Sequence, residues 1–335
     1  MPRKPLSGLL FWTILAVLLS YSVNARDQDW IVSGVPASFP KLVPFDGESQ
    51  EQEIWGGMQT RWADLMALRI PENAGENEHL CSGILLRSDA ILTAAHCMRS
   101  QGQTIARAPL VASAAGAHLT KLSAWREAAD YELFPGWSCA AMGHVSDLAV
   151  VFLTPRAGRE PSRNLQRING TKRTKPFGKC RPRFASKSWD ENVLQLADML
   201  AGPPPRTLSV GGFGLDEYGR KGSPLEVDLQ VTSLACTSRA TQLRWCRPFS
   251  EMILGAGSRD RGIRDSCGGD SGGPAYWESA DGVRHLVGIV SRGVPPLPGE
   301  PRQSCGLGGI YTLVGRPRVT AWLKGIGVEP EDVCQ

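Results

Sequence analysis

The chain has 335 residues, 42% of them hydrophobic and 21% charged, which is ordinary for a globular protein able to bury its own core. A formal charge of +4 is too small to argue for a nucleic-acid partner, and none is expected. The 37 glycines and 24 prolines suit a β-rich fold with many turns.

Arg3 and Lys4 precede an apolar run from Leu9 to Leu19, and Val23-Asn24-Ala25 then supplies small residues. That layout predicts a secretory signal peptide over 1–25, with cleavage after Ala25. The run is short for a bilayer span, so an uncleaved anchor is the alternative and no membrane association is expected after cleavage. Export, to a periplasm or to the outside of the cell, makes the nine cysteines read mostly as disulfides, with one left over. No C-x-x-C pair and no H-E-x-x-H string occurs, so neither a metal site nor a cofactor is expected.

Residues 26–53 are polar and acidic, with Asp27, Asp29, Asp46, Glu48, Glu51 and Glu53, and read as a removable pro-segment. One folded domain is expected from 54 to 335. Short β-type runs recur there: 65–70, 83–86, 90–93, 148–153, 208–210, 227–231 and 286–290. They predict an all-β antiparallel sandwich or barrel. One helix is expected, from Pro317 to Ile326, with Val319, Trp322 and Leu323 on one face. The segment of about 155–187 carries eleven Lys or Arg against the single Glu160. It reads as a solvated insertion loop, the alternative being an exosite for an anionic partner. Asn169-Gly170-Thr171 inside it is a glycosylation sequon.

Two motifs carry chemistry. Thr93-Ala94-Ala95-His96-Cys97 follows a β-type run and ends sixteen residues after Cys81. A Cys81–Cys97 bridge would fix the backbone that presents His96. Asp265-Ser266-Cys267-Gly268-Gly269-Asp270-Ser271-Gly272-Gly273-Pro274 is the most specific stretch. A serine nucleophile needs an exposed hydroxyl on a tight turn with N–H groups open to an oxyanion, and glycines on either side allow both.

These two motifs resemble those of the trypsin and chymotrypsin family of serine proteases, and the resemblance covers Ile54 to about Ile326. It implies two six-stranded antiparallel β-barrels with a C-terminal helix and a Ser-His-Asp triad between the barrels. Asp147, opening Asp147-Leu148-Ala149-Val150-Val151, fits the third triad member; Asp130 and Asp190 open no apolar strand. Further roles follow from the same likeness. Gly269 and Ser271 would donate the oxyanion-hole N–H groups. Asp265 would floor a primary pocket selecting Arg or Lys, walled by Ser291, Gly293 and Gly309, and framed by a Cys267–Cys305 bridge. Cys236 and Cys246 would form another family disulfide, while Cys139, Cys180 and Cys334 have no counterpart.

Asp270 would receive the new α-amino group released by zymogen cleavage. Ile54 stands close to the family spacing for that terminus, Ile31 being the competitor. Cleavage before Ile54 follows Glu53, which requires a separate activating protease of different specificity. Arg292 departs from the pattern, standing where the family usually has Trp. Its charge would either act at the pocket mouth or point to solvent. The expected activity is a secreted endopeptidase acting on protein or peptide substrates after Arg or Lys. The alternatives are a catalytically silent homologue acting as a binding module, and a tethered adhesion protein using the basic insertion.

Overall fold

Apolar runs such as Leu65-Met66-Ala67-Leu68 and Ala149-Val150-Val151-Phe152 have no polar face to give to water, so strands made from them must be covered on both sides. A computed structural model describes residues 56–71, 78–100, 103–105, 109–113, 125–137, 146–154, 193–214, 222–255, 264–280, 282–298 and 305–328. The leader, the pro-segment, Ile54, the 155–187 insertion with its sequon, and Cys139, Cys180 and Cys334 lie outside the described residues.

The first half contains β1 (Met58–Gln59), β2 (Leu65–Pro71), β3 (Glu78–Arg87), β4 (Ala90–Thr93), β5 (Arg99–Ser100) and β6 (Gln103–Thr104). It continues with β7 (Leu110–Ser113), β8 (Arg126–Glu127), β9 (Asp130–Leu133) and β10 (Ala149–Phe152). After α1 (Leu196–Ala201) come β11 (Thr207–Gly212), β12 (Leu225–Ser233), α2 (Arg239–Leu243) and β13 (Glu251–Leu254). The chain ends in β14 (Pro274–Glu278), β15 (Arg284–Gly293), β16 (Gly309–Leu313) and α3 (Pro317–Gly325).

In the second half the order β12-β11-β14-β15-β16-β13 closes on itself through a β12–β13 pairing, giving a six-stranded antiparallel barrel with β1 added alongside β12. The first half forms a seven-stranded antiparallel sheet in the order β8-β7-β2-β3-β4-β10-β9. One of the two expected barrels is therefore closed, and the closure of the other does not appear among the described residues. The expected strand runs fall on β2, β3, β4, β10, β11, β12 and β15.

Burial follows the two sequence patterns. Along β12, Leu225, Val227 and Leu229 are buried while Asp228 and Gln230 are exposed, the alternation of a strand with one wet face. All four residues of β10 are buried. The interior of the closed barrel gathers Leu208, Val210, Val227, Met252 and Tyr311. The first sheet shares its core, including Leu68, Ile84, Leu92 and Val150, with α3. Pro317 begins that helix, where its missing N–H costs nothing. Val319, Trp322 and Leu323 are buried as expected, and the Trp322 ring packs edge-on against Phe134 with centroids 5.2 Å apart.

The C-terminal helix thus clamps the first sheet from the far end of the sequence. Trp322→Ala should destabilise the protein by about 3–5 kcal/mol, read as a lower urea midpoint. A loss under about 1 kcal/mol, the level of a surface change, would contradict this packing role.

Candidate active site

β4 runs directly into a single 3-10 turn, Ala95–Met98. The Cys81–Cys97 disulfide, with Cα atoms 6.3 Å apart, ties that turn to β3. β10 pairs with β4, placing Ala149 opposite Thr93, so Asp147, two positions before β10, arrives beside the turn. The two neighbouring strands thereby bring His96 and Asp147 together. The His96 backbone N–H donates to Asp147 Oδ1 at 2.8 Å, and His96 Nδ1 lies 2.7 Å from Asp147 Oδ2. Ser291 Oγ–H donates to the same Oδ2 at 2.7 Å.

Burial alone would raise the Asp147 carboxyl, but the His96 charge and the hydrogen bonds from His96 and Ser291 outweigh it and bring the pKa to about 2. An ionised Asp147 facing Nδ1 fixes the imidazole tautomer, leaving Nε2 as the basic nitrogen. The sulfurs of Cys81 and Cys97 also lie near His96. They are joined in the disulfide and offer no thiolate to a metal.

Ser271 arrives from the other half of the chain on the turn between Asp265 and β14. Gly272 has φ +85°, and a Cβ there would collide with Thr93 Oγ1 and Ser82 O. Only glycine lets the turn lie this close to β3 and β4. The Ser82 N–H donates to Ser271 O at 2.8 Å, and the Gly272 N–H to Val290 O at 2.8 Å. Ser82 Oγ–H donates to Gly269 O at 2.8 Å and accepts from the Phe213 N–H at 3.0 Å. Ser271 O also lies 3.7 Å from Cys97 Sγ, next in sequence to His96.

Ser271 is thus set against the His96 turn. Among the described residues no hydrogen bond joins its hydroxyl to the imidazole; such bonds commonly tighten only when substrate binds. The N–H groups of Gly269 and Ser271 are likewise not spent on other described residues. The sequence reading missed Ser82, and its only signal was a hydroxyl inside the otherwise apolar run Leu80–Leu86.

Asp265 is 1% exposed. Its Oδ1 accepts from the Ser266 N–H at 2.8 Å. Its Oδ2 accepts from the N–H groups of Gly306 at 2.7 Å and Gly308 at 2.9 Å. Burial dominates over these three donors and pushes the carboxyl up to about 6. The Cys267–Cys305 bridge joins the two segments that supply the donors. Gly293 and Gly309 face each other across the β15–β16 pair. A Cβ on Gly309 would press into Ser266 Oγ and the Tyr311 ring, and those two hydroxyls are 2.6 Å apart. Ser266 and Tyr311 therefore pack against Gly309, although the sequence pattern did not single them out. Ser291, expected as a wall, also turns its hydroxyl to Asp147.

Asp270 is fully buried. Its Oδ1 accepts from the Gly214 N–H at 2.8 Å and its Oδ2 from the Cys267 N–H at 2.9 Å. A Cβ on Gly212 or Gly214 would strike this carboxylate.

Arg292 follows neither expectation. Its guanidinium forks onto the fully buried Glu251, NH1 to Oε1 and NH2 to Oε2, each at 2.8 Å. NH2 also donates to Trp245 O at 2.7 Å. Arg247 takes the other side of the same carboxylate, through Nε at 3.2 Å and NH2 at 3.1 Å to Oε1. A buried anion facing the position where the charge leaves the strand is the physical reason the guanidinium turns inward. The Cys236–Cys246 bridge forms across the segment containing α2 and Trp245, with Ile253 of β13 packed against it.

Residues 58–322 match the family model for trypsin. The chain is 26% identical over 308 residues to the CLIP domain-containing serine protease B4 of Anopheles gambiae, covering 84% of this chain and 72% of that protein. It is 23% identical over 303 residues to phenoloxidase-activating factor 1 of Holotrichia diomphalia, covering 85% and 73%. With this family match, a closed antiparallel barrel and, among the described residues, three disulfides, the chain belongs to the trypsin family of serine proteases.

Proposed function

We propose that this chain is a secreted serine endopeptidase, made as a zymogen, that cleaves protein substrates after Arg or Lys. The observation that carries the reading is the buried Asp147 carboxylate, which accepts from His96 twice and from Ser291 once, beside the Ser271 turn. Ser271 Oγ attacks the scissile carbonyl as His96 Nε2 takes its proton, and Asp147 stabilises the imidazolium that forms. The N–H groups of Gly269 and Ser271 receive the oxyanion. His96 returns the proton to the leaving amine, and water releases the acyl group from Ser271 by the same steps in reverse. No cofactor enters the reaction. Silent relatives would need the triad to be broken, and here its three residues are retained. The relative named phenoloxidase-activating factor 1 supports a protein as the substrate class.

Ser271→Ala should remove turnover of an Arg-ester or fluorogenic Arg-peptide by at least about 10³-fold while leaving the urea midpoint unchanged. Equal rates in wild type and variant would refute the enzyme reading.

Asp265 supplies the basis for a cationic side chain at P1. Its pKa of about 6 lies above the ordinary aspartate value, so the attracting charge is present above that pH and is lost as pH falls through it. A bound cation would pull the pKa down again. The ratio of kcat/KM for Arg over a neutral P1 residue should therefore fall between pH 7 and pH 5. Taking the ratio cancels the common loss from His96 protonation. Asp265→Ser should abolish both the preference and its pH dependence, and a flat, unchanged ratio in wild type would remove the pocket assignment.

The socket around Asp270 supports activation by a new α-amino terminus. Edman sequencing of the active form should begin at Ile54, after cleavage by a protease that accepts Glu53. Active enzyme beginning elsewhere would refute that site.

A further inference from the structure

The Arg247–Glu251–Arg292 cluster has no task in the mechanism above, yet it reaches Ser291, which donates to Asp147. Glu251 is fully buried. Burial alone would raise its carboxyl, but the guanidiniums of Arg292 and Arg247 hold it below its ordinary value. Two cations on one anion leave a net positive charge behind β15. Arg292 NH1 also lies 3.3 Å from Ser291 Oγ, and that hydroxyl is the one that donates to Asp147 Oδ2.

A hydroxyl carries one proton and two acceptor sites, whereas a guanidinium can only donate. Wherever NH1 occupies a lone pair of Ser291 Oγ, the serine proton has to go elsewhere, and Asp147 is the acceptor in reach. Arg292 also feels the Asp147 charge directly. Burial opposes its positive form, and Glu251 and Asp147 together outweigh that.

We propose that Arg292, locked in place by Glu251 and Arg247, is a positioning residue for the triad: it commits the Ser291 hydroxyl proton to Asp147 and so keeps that carboxylate charged and aimed at His96. The inference rests on the triad reading of the preceding subsection. It differs from both expectations for this arginine, because the charge acts inward on the catalytic carboxylate rather than on substrate or solvent.

The readout is the acid limb of the kcat/KM–pH profile, which reports His96 in free enzyme. Among the described residues, other charged or titratable groups on neighbouring segments include His79, whose Nε2 is 3.1 Å from Cys97 O, and Arg316, whose guanidinium reaches Ser146 Oγ at 3.4 Å. Both are left untouched. Removing the Arg292 cation makes the His96 imidazolium easier to form, so Arg292→Gln should move the acid limb upward by roughly 0.5 pH unit. It should also lower kcat about tenfold with KM nearly unchanged, since the loss falls on chemistry. Rates are taken per active site by titration with an acylating burst reagent, so partial misfolding does not enter. Arg292→Lys retains the charge and should bring the acid limb back.

Arg292→Gln leaves Glu251 with a single cationic partner. Should that variant not fold, Glu251→Gln with Arg292→Gln removes both charges, and the limb should still move upward because the cation touching Ser291 is gone. An unshifted limb in the folding variant would overturn the proposal while leaving the protease reading intact. Inactive, correctly processed wild-type protein would overturn both.

Discussion

The Asp147 carboxylate joins parts of the chain that are far apart in sequence. It sits at the head of β10, accepts from the His96 turn after β4, and accepts from Ser291 on β15 of the closed barrel. An ionised carboxylate this deeply buried is costly unless its lone pairs are filled by good donors. Two donors from the turn after β4 and one from β15 meet that requirement. The consequence is geometric as well as energetic. Moving either half relative to the other would leave a buried charge short of a partner, so the requirement that makes Asp147 tolerable also fixes the base against the turn that carries Ser271.

The same chemistry is used to different ends at the other buried acids. At Asp265 only backbone N–H groups answer the carboxylate, and burial prevails, raising the pKa to about 6. That group remains in need of a cation. At Glu251 two guanidiniums are already in place, and the carboxyl is held down. At Asp147 the partners are the His96 imidazole and the Ser291 hydroxyl. Three buried carboxylates in three settings thus differ in which donors surround each one.

Much of this was legible in the sequence because the turn requirements are strict. Gly269 and Gly272 take positive φ, and the lack of room for a Cβ at Gly272 explains why so local a string as 265–274 pointed to a tight turn around Ser271. His96 was readable from its place after an apolar strand and beside a cysteine in reach of Cys81. The long apolar runs gave most strands, and Val319, Trp322 and Leu323 gave the last helix. Strands such as β8 and β9 were not expected, because Arg126-Glu127 and Asp130-Tyr131-Glu132-Leu133 carry charged residues and too few positions to show a period.

What stayed hidden depends on partners distant in the chain. Nothing near Arg292 announces that Glu251, forty-one positions earlier, will be waiting for it. Nothing near Ser291 reveals a bond to Asp147, 144 positions away. Ser82 in the same way acquires its place only when the second half folds against the first. Such pairings are set by tertiary approach rather than by local pattern.

The central claim is that Asp147 and His96 activate Ser271. Its most direct measurement is labelling of the processed protein with a serine-directed phosphonate, mapped by mass spectrometry and repeated with Asp147→Asn. A single adduct on Ser271, formed at least about 10²-fold more slowly in the variant, is the expected result. An adduct on another residue, or equal rates in the two proteins, would contradict it.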